Sequence, residues 1–272
     1  NNDTESLSLL LTHMRRVNEM AFDHLTKRII TECNPRSLLT FNNSVGYSYL
    51  LGLFRPVAEL DTQDGQQARK WFQDFVEVSD EQFLHTLNTG QLNWTIWNIS
   101  LIQPNRGAWL RRNLGEITRR LDGRDLDNSF QLLWNLWQAS EPVYREALNS
   151  TPIFLEFFKS KTGLHIQELS IAGLLHETGY SIEHKDVYNS AEEIADWIAK
   201  QESGTHLVLT VSALKTLEDA LLRQSIDILA ERGTNLKDLT EQLIDRNPLA
   251  RSRNWMKQIL DKSLWEFQDI IP

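Results

Sequence analysis

Thr95-Ile96-Trp97-Asn98-Ile99 and Leu132-Leu133-Trp134-Asn135-Leu136 are two versions of one pattern, an apolar helix segment carrying Trp-Asn, set 37 residues apart. Each is followed by a polar turn with a proline, Pro104 or Pro142, and then by a second helical stretch ending in Leu-rich sequence. Fainter echoes stand at Ile171-Ala172-Gly173-Leu174 and Val211-Ser212-Ala213-Leu214, at further intervals of about 39 and 40 residues. A period in this range is the length of one helix-turn-helix unit, which buries its apolar face only against its neighbours. The spacing predicts an all-α fold of antiparallel helix pairs, either an α-solenoid-like array or an irregular helical bundle.

Composition points the same way. The chain has 272 residues, more than one compact domain usually holds, with 41% hydrophobic and 24% charged residues. Only 12 Gly and 7 Pro are present, which favours helices over turn-rich β-structure. No apolar run approaches the roughly 18 residues a membrane span needs; the segment Leu207–Leu214 is interrupted by Thr and Ser. The opening Asn-Asn-Asp-Thr-Glu-Ser has neither a basic n-region nor Met and reads as a fragment boundary rather than a signal peptide. One cysteine, Cys33, excludes an internal disulfide framework and suits a reducing compartment, so a cytoplasmic location is expected.

Helical signals run almost end to end. Residues 5–33 carry Leu7, Leu10, Leu11, Met14, Val17 and Phe22 at helical spacing, as one long helix or two abutting ones. Pro56 is expected to end the element that follows. Ser79-Asp80-Glu81-Gln82 reads as a capping box with Ser79 as its cap, Thr151-Pro152 as a helix start, and Ser190-Ala-Glu-Glu as another. Asn247-Pro248 opens a last helix reaching to about Gln268. The polar run Asp61–Gln67 suggests a boundary, giving an N-terminal helical unit over 1–75 and a helical-repeat-like region over 76–272.

Over residues 90–180 the Trp-Asn units resemble the HEAT-like and TPR-like helical arms of bacterial multi-component proteins, including signal-transduction ATPases of the STAND type. The resemblance implies a sensor or scaffold arm that binds another protein. It transfers no role to any particular residue.

Motifs that carry chemistry are missing. There is no G-x-x-x-x-G-K-[ST], no G-x-G-x-x-G and no G-x-S-x-G, so neither nucleotide nor serine-hydrolase chemistry is indicated, and no cofactor is expected. H-E-x-x-H is absent as well, because His176-Glu177 is followed by Thr-Gly-Tyr. If a helix ending at His176 turned back at Gly179, His176, His184 and Asp186 would be the candidates to converge on one divalent ion, the basis of a metal-dependent enzyme reading.

Binding is the better-supported function. Trp94, Trp97, Trp109, Trp134 and Trp137 fall within 44 residues, and Trp94/Trp97 and Trp134/Trp137 make wide aromatic stripes. Repeat-matched Trp fill the core; Trp not covered there anchor interfaces. Six Arg against Glu116 and Asp122 between Arg106 and Arg124 form a basic segment, whereas residues 163–245 carry 15 acidic and 6 basic groups. We therefore expect a scaffold or adaptor with Trp94, Trp109, Trp137, Arg106 and Arg112 at a protein-binding surface and no membrane partner. The alternative is a nucleic-acid-binding subunit using Arg106, Arg112, Arg119 and Arg120, against which the net charge of −9 argues.

Overall fold

A computed structural model of the chain describes residues 4–35, 44–102 and 106–264. It is all-α, with seventeen helices and two two-residue strands among the described residues. None of these helices is long and apolar enough to cross a membrane. The chain divides into two compact units, Asn1–Pro152 and Ile153–Pro272. The polar run at Asp61–Gln67, expected to mark a domain boundary, instead caps and opens a helix inside the first unit, the Thr62 hydroxyl accepting from the Gly65 N–H.

Unit one contains α1 (Thr4–Val17), α2 (Glu19–Glu32), α3 (Ser44–Ala58), α4 (Gln63–Val78), α5 (Glu81–His85), α6 (Thr89–Ile102), α7 (Arg106–Arg112), α8 (Leu114–Thr118), α9 (Leu126–Ala139) and α10 (Glu141–Ser150). The N-terminal periodic stretch is two helices, because Asn18 turns extended and its side chain caps α2 at Ala21. Pro56 does not end its helix: α3 runs on to Ala58, the proline sitting in the last turn. Asp80, not Ser79, caps α5, and Ser79 instead accepts from the Trp109 indole.

The helices of this unit stack in order. α1 packs on α3, α3 on α6 and α6 on α9, while α2 packs on α4, α4 on α7 and α7 on α10. Within the pairs, α1 meets α2, α3 meets α4 and α9 meets α10. Each pair thus finds its burial on the next, with Leu50, Phe54, Ile96, Ile99, Leu132 and Leu136 fully buried among the helices of the first layer.

Unit two runs from α11 (Pro152–Ser160) through β1 (Gly163–Leu164), α12 (Ile166–Glu177), β2 (Asp186–Val187), α13 (Ala191–Ala199), α14 (Gly204–Leu217), α15 (Asp219–Glu231) and α16 (Leu236–Asp245) to α17 (Ala250–Leu264). The expected continuation of the last helix to Gln268 lies outside the described residues. α14 is the hub, touching α12, α15, α16 and α17. Its crossing with α12 is very close: a β-carbon on Gly173 would overlap the Leu209 carbonyl. Gly173, within the faint sequence echo on α12, is what lets these backbones approach. α12 ends as the sequence suggests, Gly179 taking φ +93° while the Tyr180 N–H donates back to Leu175.

Candidate interaction surface

The aromatic stripes separate cleanly by burial. Trp134 and Trp137 stack at 5.4 Å between ring centroids and are 3% and 7% exposed, and Trp109 is 2% exposed with its indole N–H donating to Ser79 Oγ. Trp109 and Trp137 are therefore core residues, not surface anchors. Their positions on α7 and α9 face the neighbouring pair, where a stacking unit needs its bulk.

Trp94 is different. It is 44% exposed on α6, and its ring lies against Gly52 of α3, which has no side chain to push it away. The missing β-carbon at Gly52 makes a seat for the indole, whose Cζ2, Nε1 and Cε2 lie against it while the side chain remains 44% exposed.

The Arg-rich segment turns inward. Arg106 donates to the Ala139 carbonyl at the C-terminus of α9, and Arg112 to Val76 and Ser79 at the end of α4. Arg120 donates to His85 and Leu87 at the end of α5. These guanidinium groups occupy the carbonyl-rich, negative ends of neighbouring helices, where a cation is favoured. Arg111 reaches across to Glu146 on α10 at 3.0 Å. Three of the four arginines assigned to phosphate in the nucleic-acid alternative, Arg106, Arg112 and Arg120, thus hold helix ends together, and Arg119 pairs with Glu116.

Glu116 is the feature the sequence reading passed over. Its carboxylate is 7% exposed on α8 and accepts from Arg119 at 2.6 Å and Arg120 at 2.7 Å, with His85 Nδ1 at 3.4 Å. The Arg119 hydrogen bond and then those of Arg120 and His85 outweigh desolvation and hold its pKa down at about 2. Its spacing of three and four residues from Arg119 and Arg120 was the available signal. The cluster clamps α5 onto α8.

His176, His184 and Asp186 form no metal site: no group of three or more His, Cys, Asp or Glu disposed to hold an ion exists among the described residues. His176 Nε2 instead meets Thr216 Oγ1 at 3.2 Å, and Asp186 is in β2, paired with Gly163. His184 takes a left-handed backbone, φ 65°, in the loop before it.

Comparison with family models, curated proteins and solved structures returned no match.

Two further places remain. A cleft of about 310 Å³ between the end of α2 and the middle of α4 is lined by Cys33, Gln67, Lys70, Trp71 and Asp74. Burial and the neighbouring Glu32 raise the Cys33 thiol above its ordinary pKa, the opposite of what a nucleophile requires. On the first helix pair, Leu9, Leu10, Val17 and Met20 are exposed, and the stripe read from the sequence splits, with Leu11 and Phe22 buried and Leu10 and Val17 outside.

Proposed function

We propose that this chain is a non-enzymatic scaffold or adaptor whose first unit recognises another protein through the surface around Trp94. One observation carries the reading: of the three Trp expected at a binding surface, Trp94 alone is open to solvent, and it is seated on a glycine. A half-covered indole supplies large contact area with few rotatable bonds to order, which is why Trp is a frequent interface anchor. The stacking of helix pairs in unit one supports a repeat-type scaffold, since such arrays present broad surfaces built from successive helices. The inward turn of the arginines favours a protein partner over nucleic acid.

Parallel affinity capture from the source cells with the wild-type chain and with Trp94→Ala tests this. The expected result is a protein retained by the wild type and lost with Trp94→Ala, the variant showing an unchanged circular dichroism spectrum. Equal retention by both, or none by either, removes the proposal.

A further inference from the structure

Of the eight large apolar side chains exposed among the described residues, four crowd into 12 residues: Leu9, Leu10 and Val17 of α1 and Met20 of α2. The other four stand singly, as scattered surface hydrophobics do; a cluster is what marks a surface meant to be covered. Val17 and Met20 are the most open of the four, at 70% and 84%, and they flank Asn18, where the chain turns from α1 into α2. The inner residues of the pair, Leu11, Phe22, Ile29 and Ile30, are buried, and α1 and α2 pack on α3 and α4. The end pair of a helical array stays soluble by a polar outer face, and this pair lacks one.

Charge is divided across the same turn. Arg15 and Arg16 close α1, whereas Glu19 opens α2 and Asp23 follows one turn on. The ion pairs of these helices, Lys27 with Asp64 and Arg28 with Glu32, use none of them. Arg15 lies over the Phe22 ring, but Arg16 and Glu19 are exposed and join no ion pair among the described residues.

We infer that this corner is a self-complementary interface on which a second copy of the chain docks. In a twofold contact the same patch serves both subunits, so that residue i meets j and j meets i. A patch with a basic and an acidic half fits itself when the axis runs along the boundary between them, which here is the Asn18 turn. Val17 then lies on the partner's Met20 and Met20 on the partner's Val17, burying the most open apolar groups, while Arg16 reaches the partner's Glu19 at both ends of the contact. An unrelated apolar partner would account for the exposed Val17 and Met20 but not for opposite charges set on the two sides of one turn. Size fixes the strength. Two 14-residue helices, each about 21 Å long and about 10 Å wide, project a face of about 400 Å², below the roughly 800 Å² per partner of a stable complex, so the dimer is weak and reversible. The inference rests on α1 and α2 alone and not on the reading of Trp94.

Sedimentation velocity of the full chain from about 1 to about 200 μM, the range in which a small interface assembles, tests this. Four proteins are compared: wild type, Val17→Glu/Met20→Glu, Arg16→Glu and the charge swap Arg16→Glu/Glu19→Arg. All the replaced side chains are exposed, so each variant keeps its fold, checked by circular dichroism. Wild type is expected to pass from monomer to dimer as concentration rises, and Val17→Glu/Met20→Glu to stay monomeric throughout. Arg16→Glu, which sets like charges face to face twice, is expected to dimerise at least about fivefold more weakly, and the charge swap to regain most of that loss. A wild type that is monomeric throughout overturns the inference and leaves the face to another molecule. So does a dimer that survives Val17→Glu/Met20→Glu, an Arg16→Glu variant as strong as wild type, or a charge swap as weak as Arg16→Glu.

Discussion

The indole of Trp94 lies so close to Gly52 that a β-carbon there would stand 2.8 Å from its Cζ2. Two opposing effects decide the outcome of Gly52→Ala. Alanine gains about 1 kcal/mol of helix propensity on α3, and the clash is with a half-exposed side chain that can swing outward. Stability is therefore expected to change by less than about 1 kcal/mol in a denaturant titration, while Trp94 leaves its seat. A red shift in tryptophan emission, absent from Gly52→Ala/Trp94→Phe, is the check.

Gly173→Ala is predicted to behave in the opposite way. The added carbon meets the backbone carbonyl of Leu209, which no rotamer change can move, so α12 and α14 must separate along the best-packed crossing of unit two. Overpacking of this kind costs about 1–3 kcal/mol and exceeds the propensity gain. Thermal unfolding should show a clear loss of stability; an unchanged or higher midpoint contradicts the close crossing.

Glu116 gives a prediction in pH. Its folded pKa of about 2 lies below the ordinary value of 4.5, so its contribution is fully present above about pH 5 and is lost as pH falls toward 2. Glu116→Gln should lower stability at pH 7 by about 1–2 kcal/mol, because Arg119 and Arg120 then face a neutral amide in place of a carboxylate and solvent screens the half-exposed Arg119. The gap between wild type and variant should close as pH is lowered from 5 to 2. A gap that is constant with pH would mean that the carboxylate charge is not what holds α5 to α8.

Arg112→Ala tests the inward role of the basic segment. Removing the donor to Val76 and Ser79 uncaps α4 and is expected to cost about 1–2 kcal/mol in thermal or denaturant unfolding. If Arg112 served phosphate instead, the variant would keep its stability and lose salt-dependent binding to DNA in a titration at two ionic strengths.

The sequence made the helices legible because their signals are local. Apolar spacing, the Ser190 capping box, Pro152 at a first turn and Gly179 just past a helix end are all read within a few residues, and the chain adopts each of them. Burial was not legible in the same way. Trp94 and Trp137 sit at similar distances from their Trp-Asn pairs, yet one faces solvent and the other the core, because burial depends on which helix lies opposite. The arginines misled for a related reason: Arg112 and the Val76 carbonyl it binds are 36 residues apart, a relation no local pattern carries. Ser79 lost its expected cap role to Asp80 because Trp109, 30 residues on, claims its hydroxyl.

The most direct test of the account is the affinity of the captured partner for wild type and for Trp94→Ala, measured by calorimetry on purified proteins. A Trp anchor at an interface centre is worth about 2 kcal/mol or more, so the account predicts binding weakened at least about thirtyfold with the fold intact. Equal affinity for the two proteins would contradict it.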